Sequence, residues 1–161
     1  MVRTDDGGPY LAFAVLCERV LQEKDEVLSL VRLVDRLEIT PQGESAPEAM
    51  PTVLVPMTLA VGFKSGGFKG TRSLTIRVLK PSGETAAAQE SGSPLPLYFA
   101  GDEVGPNLVA SIGLHASEEG LYWIEIVLEE DLLTRVPLRI VYARAEVPQE
   151  RPSIAETANR S

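Results

Sequence analysis

The sequence predicts an all-β domain, a mostly antiparallel sandwich of two packed sheets. Three observations carry that expectation. Val, Leu and Ile recur in short runs in which apolar and polar residues alternate, the period of a half-buried strand. Thirteen glycines and twelve prolines punctuate those runs at turn-like intervals. Stretches favouring helix are few. With 161 residues, 44% hydrophobic and 24% charged, the chain is long enough to close one core without metals or disulfides.

Residues 1–9 are expected to be a flexible tail, residues 10–145 the sandwich, and residues 146–161 a disordered tail lacking apolar periodicity. The first strand is expected from Tyr10 to about Val20, with Leu11, Phe13, Val15 and Cys17 on one face. A second is expected from about Val27 to Ile39, where Val31, Leu33, Leu37 and Ile39 keep step at two. A helix over Leu16 to Leu37 is the competing reading, and that period of two favours strands. Pro41 to Pro51 reads as a loop. Thr52 to Phe63 follows as a long strand alternating through Val53, Val55, Met57, Leu59, Val61 and Phe63. Pro56 has no amide hydrogen for a ladder, so this strand is expected at an edge or bulged there.

Lys64 to Gly70 reads as a glycine-rich hairpin tip that places an exposed Phe68 between Lys64 and Lys69. The return strand Ser73 to Lys80 turns Leu74, Ile76 and Val78 inward, and Pro81-Ser82-Gly83 ends it. Ala86 to Pro94 reads as a flexible loop. Strands follow at Leu95 to Phe99 and at Asn107 to Ala116. A hairpin built on Leu121 to Ile126 and Leu133 to Tyr142 completes the chain, with Glu129, Glu130 and Asp131 at its tip.

One local pattern narrows the sandwich to an immunoglobulin-like one. Glu118, Gly120 and Tyr122 have the spacing of a tyrosine corner, whose hydroxyl bonds back to upstream backbone. Ile124 falls where such domains often place a core cysteine. With Cys17 the single cysteine, no intrachain disulfide can form, as suits a reducing compartment. The N-terminus lacks the apolar core and cleavage site of a secretory signal, and no stretch has the roughly 18 apolar residues of a membrane span. A cytoplasmic location is therefore expected.

The formal net charge of −8 argues against nucleic acid and anionic membrane as partners, because both are bound by dense clusters of Lys and Arg. Catalytic constellations do not emerge. His115, the only histidine, is expected to point outward near a strand end, and Cys17 to behave as a small hydrophobe. One His and one Cys far apart in sequence make a poor zinc set. Asp35 shares a strand face with Leu33 and Leu37, so it is expected to be buried and to need a hydrogen bond or arginine. The glycines of 65–70 lack the ending of a P-loop.

The stretch from Tyr10 to Tyr142 resembles a family of uncharacterised bacterial sandwich domains. The likeness lies in Leu16-Cys17-Glu18, Leu28-Ser29-Leu30, Asp35-Arg36-Leu37, Gly120-Leu121-Tyr122-Trp123 and Val136-Pro137-Leu138-Arg139. It implies a bacterial cytoplasmic or phage-associated protein and brings no catalytic residues. The function expected from these readings is a non-enzymatic protein-interaction module without a cofactor. Its candidate contacts are Leu121 and Trp123 on one strand face and Lys64, Phe68 and Lys69 at the tip, with the acidic tip at Glu129 as a complementary surface for self-association. A small-ligand or carbohydrate binder is the alternative, and a hydrolase using paired carboxylates a third reading.

Overall fold

The computed structural model describes residues 7–41, 47–88 and 92–144, so the expected C-terminal tail and most of the N-terminal one lie outside the described residues. Among the described residues, nine strands form two sheets. One has four strands in the order β2 (Leu28–Leu33), β1 (Tyr10–Gln22), β4 (Val53–Lys64), β7 (Asn107–Ala116). The other has five, in the order β3 (Arg36–Ile39), β9 (Asp131–Tyr142), β8 (Gly120–Leu128), β5 (Gly66–Leu79), β6 (Leu95–Asp102). All pairs are antiparallel except β3 with β9, which run parallel.

The core lies between the sheets. Met57, Leu59, Val61 and Phe63 of β4 meet Leu74, Ile76 and Val78 of β5 and Tyr122, Ile124 and Ile126 of β8, all buried. These are the inward positions that alternation predicts. The Phe63 and Phe99 rings pack edge to face at a centroid distance of 5.7 Å, a geometry favoured by the ring quadrupoles. The tyrosine corner is formed as expected: the Tyr122 hydroxyl donates to the Glu118 carbonyl at 2.9 Å. Two sheets joined around this corner make the domain an immunoglobulin-like β-sandwich.

Four local expectations are corrected. A bulge between Leu11 and Phe13 changes the parity of β1. Leu11, Ala14 and Leu16 therefore face the core, and Phe13, Val15 and Cys17 face outward. The expected second strand is two strands in different sheets: β2 ends at Leu33, Arg32 takes a φ of 51°, and the chain crosses at Val34 and Asp35 to begin β3. Asp35 is consequently exposed on that crossing, not buried on a strand, and its carbonyl accepts from the Arg139 amide at 2.9 Å.

Lys64 to Gly70 is likewise not a hairpin tip: β4 and β5 belong to different sheets, the chain crosses between them at Ser65, and Gly66 to Gly70 already lie in β5. Finally, the expected loop at Ala86 folds inward. Ala86 is buried, its amide donates to Val78, and Ala87 accepts from His115.

Pro56 lies on a strand that is central in its sheet but, at that point, locally at the edge, as expected. Odd-numbered β4 residues aim their amides at β7, as the Phe63 amide does toward Pro106. Even-numbered ones aim at β1, whose pairing with β4 stops at Cys17 and Thr58. Proline thus stands where β4 has lost that neighbour and no donor is needed.

Candidate interaction surface on the five-stranded sheet

Strand alternation places Leu121, Trp123 and Glu125 on the outer face of β8, opposite the buried Tyr122 and Ile124. Pairing registers then fix their neighbours. Trp123 lies level with Leu79 of β5 on one side and Pro137 of β9 on the other. The row beside it is Arg77, Glu125 and Arg135; beyond Leu121 come Arg139 and, across β9, Arg36. Leu121 and Trp123 are half-buried, so the pair forms part of an accessible apolar patch and does not belong to the core.

Glu125 is the unusual member of this face. It is only 4% exposed although it faces outward. Its Oε1 accepts from Arg135 Nε at 2.9 Å and its Oε2 lies 3.1 Å from Arg77 Nη2. One carboxylate thus ties three strands together, with both lone-pair sets engaged by half-exposed cations. Across the outer face, Arg36, Lys69, Arg77, Arg135 and Arg139 stand against Glu38, Asp102 and Glu125. The face is net cationic on a chain whose formal net charge is −8.

The other sequence candidates do not join this patch. Lys64 ends β4 in the four-stranded sheet, and Lys69 sits on β5 in the five-stranded one. Phe68 is not the exposed aromatic that was expected. Its ring packs edge-on against Phe99 at 5.8 Å, and the Arg72 guanidinium covers it at 4.3 Å. The acidic tip lies at the same end of the sandwich as this crossing, since the Glu129 amide and carboxylate both bond to Ser73 at 2.7 Å. The two features therefore lie toward the same end of one molecule and not at opposite ends.

His115 is exposed on the outer face of the four-stranded sheet, as expected. Cys17 shares that face, two strands away and about 16 Å distant by strand spacing and rise. The two cannot act together. Burial pushes the Cys17 thiol above its ordinary pKa, which keeps it protonated and unreactive. Among the described residues no three His, Cys, Asp or Glu side chains cluster to hold a metal.

Sequence reasoning found the tryptophan and missed its surroundings. Leu79, Pro137 and the four arginines come from β3, β5 and β9, and only the pairing register brings them beside β8. The available signal was the alternation of Arg77, Arg135 and Arg139 with buried aliphatics on their own strands.

No protein-family model matches the chain, and no curated protein matches it in sequence. Among solved structures it is similar to an immunoglobulin-like protein from Pseudomonas aeruginosa, with 12% identity and a TM-score of 0.39. That alignment covers 84% of this chain and 98% of the other.

Proposed function

We propose that this chain is a non-enzymatic interaction module whose outer five-stranded face binds an acidic segment of a partner protein. The observation that carries the reading is Trp123, half-buried between Leu79 and Pro137 and flanked by Arg77, Arg135 and Arg139. A large aromatic anchor ringed by polar groups is the usual centre of a protein interface. The surrounding guanidinium groups favour carboxylates bound in the plane of their donors. A bacterial, cytoplasmic setting for that partner is part of this proposal.

A carbohydrate platform has less support. Tyr98, the other accessible aromatic of this face, pairs with Thr71, eight residues along β5 from Leu79 beside Trp123. That spacing puts the rings about 27 Å apart, too far to hold one sugar unit between them.

The test is affinity purification of the tagged chain from its native cell, with bound proteins identified by mass spectrometry. The expected result is a stoichiometric partner that is lost with Leu121→Ala and Trp123→Ala together, while the thermal melt still shows a folded domain. Arg139→Glu should weaken the same complex, as should raised salt. A partner held equally well by the double variant would overturn the assignment of this face.

A further inference from the structure

The hairpin arm formed by the far half of β1 and by β2 stands apart from the core. β1 pairs with β4 only as far as Cys17 and Thr58, then continues to Gln22 beside β2. Among the described residues, none from 18 to 33 belongs to the core or packs against it. Large apolar side chains lie open along the arm instead: Leu33 is 66% exposed, Val27 56% and Leu21 44%. The arm is held by its own ladder and by the ion pair of Glu18 with Arg32 at 3.3 Å. A two-stranded ribbon of this kind is marginal without a surface to rest on.

Its tip has a chemistry of its own. Glu23, Asp25 and Glu26 stand against Lys24, with Leu21 and Val27 flanking them. The turn is tied in place: the Glu23 amide donates to the Val27 carbonyl at 2.8 Å, and the Ser29 hydroxyl to the Glu23 carboxylate at 3.0 Å. An ordered, acidic segment edged by exposed apolar residues is what the face around Trp123 is suited to hold.

We infer that the acidic segment bound by the Trp123 face is the tip of the β1–β2 arm of a second copy of this chain. The inference rests on the role proposed above for that face. Glu125 engages Arg77 and Arg135, whereas Arg36 and Arg139 stand directly opposite each other across β3 and β9. Neither of those two has an ion-pair partner among the described residues. Like charges so placed disfavour each other, and a carboxylate between them relieves the cost. Val27 or Leu21 of the arriving arm then rests on Trp123, Leu79 and Pro137. A chain of net charge −8 repels its copies through most approaches, and an acidic tip against a cationic face selects this one.

The arm extends the four-stranded sheet, while the face is the outside of the other sheet, so the two halves meet between copies. Such a contact is heterologous: each copy offers its arm to one neighbour and its face to another, and assembly runs head to tail.

Sedimentation velocity on the full chain at about 20 and about 400 µM tests the inference, since an interface built on one hairpin tip is small and weak. The expected result is association that grows with concentration. Asp25→Lys with Glu26→Lys should give a monomer, and so should Leu121→Ala with Trp123→Ala. Circular dichroism should be preserved in both, because these side chains lie outside the core. Mixed in equal amounts, the two double variants should form a dimer and nothing larger, since the first keeps an intact face and the second an intact arm. A wild type that stays monomeric at both concentrations overturns the inference and leaves the proposed function to be judged by the partner captured from the cell. Either double variant associating by itself, or a mixture that stays monomeric, overturns it as well.

Discussion

The carboxylate of Glu125 meets the guanidinium of Arg135 at 2.9 Å on a solvent-facing strand surface, yet Glu125 is 4% exposed and Arg135 half-exposed. The anion is covered by its own partners. Loss of the anion leaves cations that can turn to water, whereas loss of the cations strands a covered carboxylate. Glu125→Gln should therefore cost only about 1 kcal/mol, and Arg77→Met with Arg135→Met about 3 kcal/mol. Urea denaturation of the two variants measures the asymmetry; equal costs would show that the pair holds no buried charge.

The tyrosine corner rests on one oxygen. Tyr122 Oη donates to the Glu118 carbonyl at 2.9 Å and accepts from the Glu118 amide at 3.3 Å, while its ring is fully buried. Tyr122→Phe keeps the ring and removes both bonds, so it should destabilise the domain by about 1–2 kcal/mol without changing its circular dichroism. An unchanged denaturation midpoint would mean that the corner follows the fold and does not hold it.

Glu119 links stability to pH. The Tyr142 amide, the Arg144 guanidinium hydrogen bond and the positive charge of Arg144 together hold its carboxyl below the ordinary glutamate range, against a smaller opposing effect of burial. A carboxyl lowered in the native state contributes stability that is complete above its unfolded pKa and disappears as pH falls through the native one. Glu119→Gln should thus be less stable than wild type at neutral pH, with the difference closing under acid conditions. Melting temperatures across an acid series would reveal a constant gap if charge were irrelevant.

Gly62 and Phe13 form a coupled pair. A methyl group at position 62 displaces the Phe13 ring from the sheet, so Gly62→Ala should cost about 1 kcal/mol. In a Phe13→Ala background that cost should vanish or reverse. A double-mutant cycle returns the coupling directly, and additive effects would show that the ring does not rest there.

The parts of the fold legible in the sequence are those where one strand keeps one environment. Leu74, Ile76 and Val78 read as core because β5 lies flat against it through that stretch, and Tyr122 announced itself by the spacing of its corner. Errors fell where the chain changes sheet. Alternation through Leu33, Asp35 and Leu37 continues across a crossing, and a period of two carries no information about which sheet a residue joins. One bulge inverted the faces of Phe13 and Leu16 for the same reason. At the candidate site, Trp123 was visible as an outward aromatic, but the arginines around it were not. They converge from strands separated by up to a hundred residues, and long-range register leaves no local trace.

The parallel pairing of β3 with β9 joins Arg36 to Arg139 and Ile39 to Tyr142, segments about a hundred residues apart in the sequence. That seam gives the domain a kinetic order. A contact between such distant segments bears the entropy of closing everything between them, which slows folding in β proteins. Until β9 arrives, β3 has no ladder at all, and the β9-side edge of β8 stands open with its apolar residues uncovered. The last strand is the latch of this protein, and a chain caught before it closes presents a ready template for the wrong strand.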